Sequence, residues 1–229
     1  MKRTTQIIVA LDVDNLRQAK KLVDLLYPKV TVFKVGLQLF LAAGREVIKY
    51  IKRKGAVAFL DLKFYDIPNT VANASKEMVR LGVDMFTLHC QGGKAMLSAA
   101  KRAVEEESRR INTRPPLVLG VTVLTSKANQ RNMERRVLCL AREAKSCRLD
   151  GIVCSAWEAK TVRKKLGKNF IIVTPGIRLE KQAKEDQRRT ATPKEARLAG
   201  SNYLVIGRPI IKAKHPLKTV EAVLAEINR

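Results

Sequence analysis

The sequence predicts a single-domain α/β protein of the (β/α)8 TIM-barrel class. Three observations lead there. Eight short apolar runs alternate with longer amphipathic segments along the 229-residue chain. Strict strand-then-helix alternation gives a parallel sheet, because parallel strands need helical crossovers. No linker rich in Pro, Gly or Ser and no shift in composition divides the chain, and 229 residues accommodate one closed barrel of eight units. A doubly wound open sheet is the alternative reading of the same alternation.

Taken in order, the strands are expected at residues 6–11, 30–35, 56–60, 85–89, 117–121, 151–154, 170–174 and 203–206. Each is a short apolar run bounded by polar or turn residues. Helical periodicity fills the gaps at 16–26, 39–53, 71–81, 94–107, 131–146, 157–166 and 193–199, with a last helix at 216–227. Asn69 or Thr70 is a candidate cap for the helix beginning near Val71. Trp157 is expected to pack a helix onto the barrel, and Tyr203 to lie in the core. The longest irregular stretch, 176–192, is polar and charged, and loops of that length in a compact domain are usually functional lids.

Composition narrows the function. The formal charge is +24, and such a field attracts anions of many kinds. Lys and Arg are spread over nearly every expected helix, with neither a basic tail nor the aromatic-interleaved stripe that stacks bases. Specific nucleic-acid binding is therefore not expected. The four cysteines form no C-x-x-C pair, which argues against zinc, and Cys90 and Cys154 read as buried free thiols of a reducing cytoplasm. Asp12 and Asp14 interrupt the first apolar run too early for a signal peptide, and no run is long enough to span a membrane.

The chemistry concentrates in one string, D-x-K-x-x-D-I-P-x-T, formed by Asp61, Lys63, Asp66, Ile67, Pro68 and Thr70. It follows the third apolar run. Residues i and i+2 of a strand share a face, so Asp61 and Lys63 leave the strand end side by side, with Asp66 in the loop beyond. Two carboxylates and an ammonium held so closely are costly unless paired, and such clusters mark functional sites. Other strand ends carry polar or special residues too: Asp12, Lys34 with Gly36, His89, Thr122 with the Leu124-Thr125-Ser126 turn, Arg178, and Gly207 with Arg208. In a barrel these ends converge on one mouth. A lone His at a strand end is read as structural, and no Ser-His-Asp arrangement is evident. The loops after strands seven and eight suggest a phosphate site built from Gly207 and Arg208, with Arg178 and Gln187 able to close over the anion.

Over its whole length the chain resembles the bacterial-type orotidine 5′-monophosphate decarboxylase family. The likeness rests on Val9–Asp12, Phe33–Gly36, Leu60–Val71, Leu88-His89, Val121–Ser126, Val173–Arg178, Asp186–Arg189 and Val205–Pro209, in the family's order. Related barrels acting on sugar phosphates share D-x-K-x-x-D, but usually follow it with Ala-Gly and use magnesium; Ile67-Pro68 points to the nucleotide enzyme. The resemblance implies cofactor-free, metal-free conversion of orotidine 5′-monophosphate to uridine 5′-monophosphate in a cytoplasmic homodimer. It implies a charge network of Lys34, Asp61, Lys63 and Asp66, with Asp66 supplied across the dimer interface and Lys63 protonating C6. Asp12 and Lys34 would hold the ribose, and Thr125 the pyrimidine. Ile67 and Thr70 would contact substrate, and Arg178, Gln187, Gly207 and Arg208 the phosphate. Tyr65, often His in the family, and Cys90-Gln91, where a small residue is common after the His, depart from the pattern outside that network.

Overall fold

Eight parallel strands close on themselves in chain order in the computed structural model, which describes residues 5–124, 132–179 and 190–228. They are β1 (Gln6–Ala10), β2 (Val32–Gly36), β3 (Val57–Phe64), β4 (Met85–His89), β5 (Leu117–Val121), β6 (Gly151–Val153), β7 (Ile171–Thr174) and β8 (Tyr203–Ile206). β1 pairs with both β2 and β8, so the open-sheet alternative falls. The helices are α1 (Leu16–Leu26), α2 (Leu37–Arg53), α3 (Pro68–Leu81), α4 (Gly93–Arg110), α5 (Met133–Ser146), α6 (Ala156–Leu166), α7 (Pro193–Leu198), α8 (Arg208–Ile211) and α9 (Pro216–Asn228). Among the described residues, no helix is long and apolar enough to cross a membrane.

The helices form where the sequence gives one apolar face and a start signal. In α1 the buried residues are Ala19, Val23 and Leu26, and the Asn15 side chain accepts a hydrogen bond from the Gln18 N–H. In α7, Thr192 and Glu195 form a reciprocal capping box. α3 departs from expectation. It begins at Pro68 rather than near Val71, and neither Asn69 nor Thr70 caps it. Proline's fixed φ and missing N–H suit the first helical position, so the helix reaches back to it. Trp157 also departs: it is 61% exposed in the first turn of α6, because Ala156, Glu158, Ala159 and Val162 take the inward face. Tyr203 is half-buried against the barrel interior.

The core has two parts. A large layer lies between strands and helices, and a smaller one fills the barrel with Ile8, Val32, Phe59, Met85, Leu119, Ile171 and Val173. Alternation along each strand extends this interior stack toward the mouth. Ala10 and Asp12 follow Ile8 at steps of two; Lys34 follows Val32, Asp61 follows Phe59, and Thr87 follows Met85.

The opposite, N-terminal end is closed by a repeated polar device. Asp84, Asp150 and Asn202 immediately precede β4, β6 and β8. Their side chains accept the backbone N–H of Ala58, Val118 and Ile172 at 2.8, 2.8 and 2.9 Å. Each also accepts from a cation: Lys52 at 2.6 Å, Lys101 at 2.8 Å and Arg163 at 2.6 Å.

Candidate active site

A cavity of about 330 Å³ opens at the C-terminal ends of the strands. Four cations and two carboxylates line it: Lys34, Lys63, Arg178 and Arg208, with Asp12 and Asp61. Much of the remaining wall is apolar, including Val121, Val123, Leu124, Val153, Val173 and Val205. An excess of cations beside an apolar wall suits a ligand that is anionic at one part and flat or apolar at another.

The charges form a chain. Lys34, only 8% exposed, lies between Asp12 Oδ1 at 3.3 Å and Asp61 Oδ2 at 3.6 Å. Lys63 Nζ donates to the same Asp61 Oδ2 at 2.9 Å. The other oxygen, Oδ1, accepts from the Thr87 hydroxyl at 2.9 Å. Burial pushes the Asp61 carboxyl up. The ammoniums of Lys34 and Lys63, with the hydrogen bonds from Lys63 and Thr87, outweigh that and hold it below the usual carboxylate range. Asp61 is therefore an anion on which two cations converge.

The backbone contributes as well. β3 runs to Phe64, so Asp61 and Lys63 lie within the strand rather than beyond its end. Its register with β4 shifts: Leu60 pairs with Phe86, but Phe64 pairs with Leu88. Inside this irregular stretch Lys63 has φ of 54°. That left-handed conformation costs a non-glycine residue about 1–2 kcal/mol, and such strain concentrates at functional sites. Simple alternation is thus not what brings Lys63 to Asp61; a local break in the strand does. Two glycines make room at the mouth. A Cβ on Gly36 would lie 3.1 Å from Lys34 Nζ, and one on Gly207 would lie 3.1 Å from Asp12 Oδ2.

The structure thus gathers Asp12, Lys34, Asp61, Lys63, Arg178, Gly207 and Arg208 around one cavity. Asp66, Ile67 and Thr70 lie outside it and are exposed. The Asp66 carboxylate accepts from the Ile67 N–H at 2.6 Å. Thr125, Ser126 and Gln187 lie outside the described residues. The base of the long loop is pinned, since Arg178 N–H donates to Ala191 O and Ala191 N–H to Gly176 O, at 3.0 and 3.2 Å. His89 is half-buried with its ring 5.7 Å from that of Tyr65, away from the cavity lining. Cys90 and Cys154 are buried free thiols, and burial above all pushes the Cys90 thiol up to about 12. Among the described residues, no three or more His, Cys, Asp or Glu side chains are grouped to hold a metal ion.

Thr87 also belongs to the cluster around Asp61, although it is inside a strand rather than at its end. It lies two positions before the end of β4, and the signal for it was its place one inward step above Met85.

Residues 5–223 match the orotidine 5′-phosphate decarboxylase / HUMPS family. A Moorella thermoacetica protein named orotidine 5′-phosphate decarboxylase is 47% identical over 237 positions, covering all of this chain and 94% of that protein. One of the same name from Syntrophotalea carbinolica is 44% identical, with 97% and 94% covered. The crystal structure of orotidine 5′-phosphate decarboxylase from Lactobacillus acidophilus superposes with a TM-score of 0.84 at 38% identity, covering 98% of this chain and 100% of that one. The chain belongs to the orotidine 5′-phosphate decarboxylase / HUMPS family.

Proposed function

We propose that this protein decarboxylates orotidine 5′-monophosphate to uridine 5′-monophosphate in pyrimidine biosynthesis, using neither metal nor cofactor. The observation that carries the reading is the Asp61 carboxylate with Lys63 at 2.9 Å and Lys34 at 3.6 Å, in a cavity also lined by Arg178 and Arg208. The bond between C6 and the carboxylate carbon breaks, carbon dioxide leaves, and the electron pair stays on C6. The ring offers no sink for that pair, so a cation fixed beforehand beside C6 lowers the barrier. Lys63 supplies it and delivers its ammonium proton to C6; water then restores the proton. Asp61 faces the leaving carboxylate and keeps Lys63 in place.

Binding follows the same division of the cavity. Arg208, Gly207 and Arg178 take the phosphate, with Gln187 joining from the long loop. Asp12 and Lys34 hold the ribose hydroxyls, and Thr125 meets the pyrimidine. Binding energy gained at the phosphate fixes C6 against Lys63.

A second copy completes the network by contributing Asp66, with Ile67 and Thr70 beside it. Asp66 is exposed on its own chain and flanked by exposed Tyr65 and Ile67, while Leu37 and Leu41 are exposed at the mouth end of the neighbouring unit. Exposed apolar side chains at the same end of the fold as an exposed carboxylate fit an isologous interface.

Two experiments test this. In heavy water with a chelator, the product uridine 5′-monophosphate should carry one deuterium at C6 by NMR. Turnover that needs added magnesium, or no turnover, would overturn the metal-free reading. Separately inactive Lys63→Ala and Asp66→Asn proteins, mixed and reassorted, should regain about a quarter of parental activity, since one site in each hybrid is intact. A mixture that stays inactive although hybrids form would place Asp66 in its own chain's site.

A further inference from the structure

We propose that Thr87 is a positioning residue, whose hydroxyl fixes the Asp61 carboxylate and the Lys63 backbone relative to each other for proton delivery. The inference rests on the decarboxylase reading and deepens it. Thr87 is fully buried in β4, at 0% exposure. A hydroxyl has one proton to give and lone pairs to receive with. An ionised carboxylate can only accept, so the proton goes to Asp61 Oδ1, at 2.9 Å. The oxygen in turn accepts the Lys63 N–H, at 3.0 Å. Lys63 Nζ closes the circuit on Asp61 Oδ2, at 2.9 Å.

This ring joins both residues through one buried oxygen. Asp61 is held at each of its oxygens, so its plane cannot turn without breaking a contact. Lys63 is held at its amide where the ladder with β4 shifts register and where φ is 54°. A strained conformation persists only where its surroundings over-determine it, and the Thr87 hydroxyl is one such constraint. Valine has the same shape but can neither donate nor accept.

The test compares Thr87→Val with Thr87→Ser in the full-length protein. With Thr87→Val, kcat for orotidine 5′-monophosphate should fall about ten- to a hundred-fold while KM changes less than about three-fold, as a misplaced but intact charge pair predicts. Thr87→Ser, which keeps the hydroxyl, should restore kcat to within about three-fold of the parent. Should Thr87→Val fail to fold, Thr87→Cys replaces it, with kcat expected between the other two. A role in stability alone would lower the melting temperature and leave kcat per folded site unchanged.

A second readout needs no turnover. The Asp61 carboxyl, titrated by carbon-13 NMR, faces Lys34 on β2, Lys63 on β3 and, beyond Lys34, Asp12 after β1. Losing the Thr87 hydrogen bond should move its midpoint to higher pH, and Thr87→Ser should not. A Thr87→Val enzyme with parental kcat, a Thr87→Ser enzyme as impaired as Thr87→Val, or an unmoved Asp61 midpoint would overturn the assignment. A parental protein unable to decarboxylate overturns the functional reading instead, and the Asp61 titration then decides the contribution of Thr87 by itself.

Discussion

Asp150, at the N-terminal end of the barrel, and Asp61, at its mouth, are both held by lysine, yet their surroundings differ. Lys101 Nζ bonds both Asp150 oxygens, at 3.0 and 2.8 Å, and the Val118 N–H takes a further position on Oδ2 at 2.8 Å. One cation meets one anion, and the anion also anchors a strand. Asp84 with Lys52 repeats the arrangement, and Asn202 with Arg163 gives its neutral version. At the mouth two ammoniums converge on Asp61, and both lysines line the cavity. An ammonium has three donors, and among the described residues Lys63 Nζ meets one acceptor, Asp61. The carboxylates at the N-terminal end are paired within the fold, whereas at the mouth the lysines that hold Asp61 also line a cavity. Buried ion pairs alone therefore do not distinguish a site from a scaffold.

The largest expected contrast comes from deleting one lysine at each end. Lys63→Ala should reduce decarboxylation by about a thousand-fold or more, as loss of a general acid and its charge does, with little change in stability. Lys101→Met should leave kcat per folded site unchanged but destabilise the protein by about 3 kcal/mol in denaturant titrations, because it strands a partly buried carboxylate. Equal effects of the two variants on kcat would break the distinction. Next in size, Arg208→Ala should weaken kcat/KM by about 2–3 kcal/mol, the loss of a charged hydrogen-bonded pair; unchanged kinetics would remove it from phosphate binding.

The last effect lies in the helix layer and leaves catalysis untouched. Glu107 on α4 is buried and accepts from Arg80 at 2.7 Å and from Arg110 at 2.6 and 2.9 Å. These guanidinium bonds, Arg110 first, hold its carboxyl down from 4.5 to about 2. A folded-state value below the unfolded one adds stability above the unfolded value and loses it as pH falls through the folded one. Stability from Glu107 is thus present above about pH 4.5 and vanishes by about pH 2. Glu107→Gln should flatten the pH dependence of chemical denaturation in that window and leave kcat alone. An unaltered acid limb would contradict the assignment.

Much of this was legible in the sequence, for identifiable reasons. Periodicity marked all eight strands, since a closed parallel barrel needs short apolar runs between helices. The gathering of Asp12, Lys34, Asp61, Arg178 and Arg208 around one mouth followed from their places toward the C-terminal ends of the strands. The strand break at Lys63 was hidden because its positive φ belongs to tertiary structure, not to a residue type that announces it. Thr87 was hidden because a threonine in a β-rich run reads as ordinary strand composition. The base device was hidden because Asp84, Asp150 and Asn202 stand next to turns, where such residues are common anyway. Trp157 was misplaced because an aromatic in a helix suggests core, whereas the small residues around it pack the barrel.

The most direct measurement follows the ultraviolet absorbance of orotidine 5′-monophosphate incubated with purified protein and a chelator, with Lys63→Ala in parallel. The expected result is rapid loss of substrate absorbance by the parent and none above background by the folded variant. No conversion by the folded parent, or equal conversion by Lys63→Ala, would contradict the assignment of the mouth charges to decarboxylation.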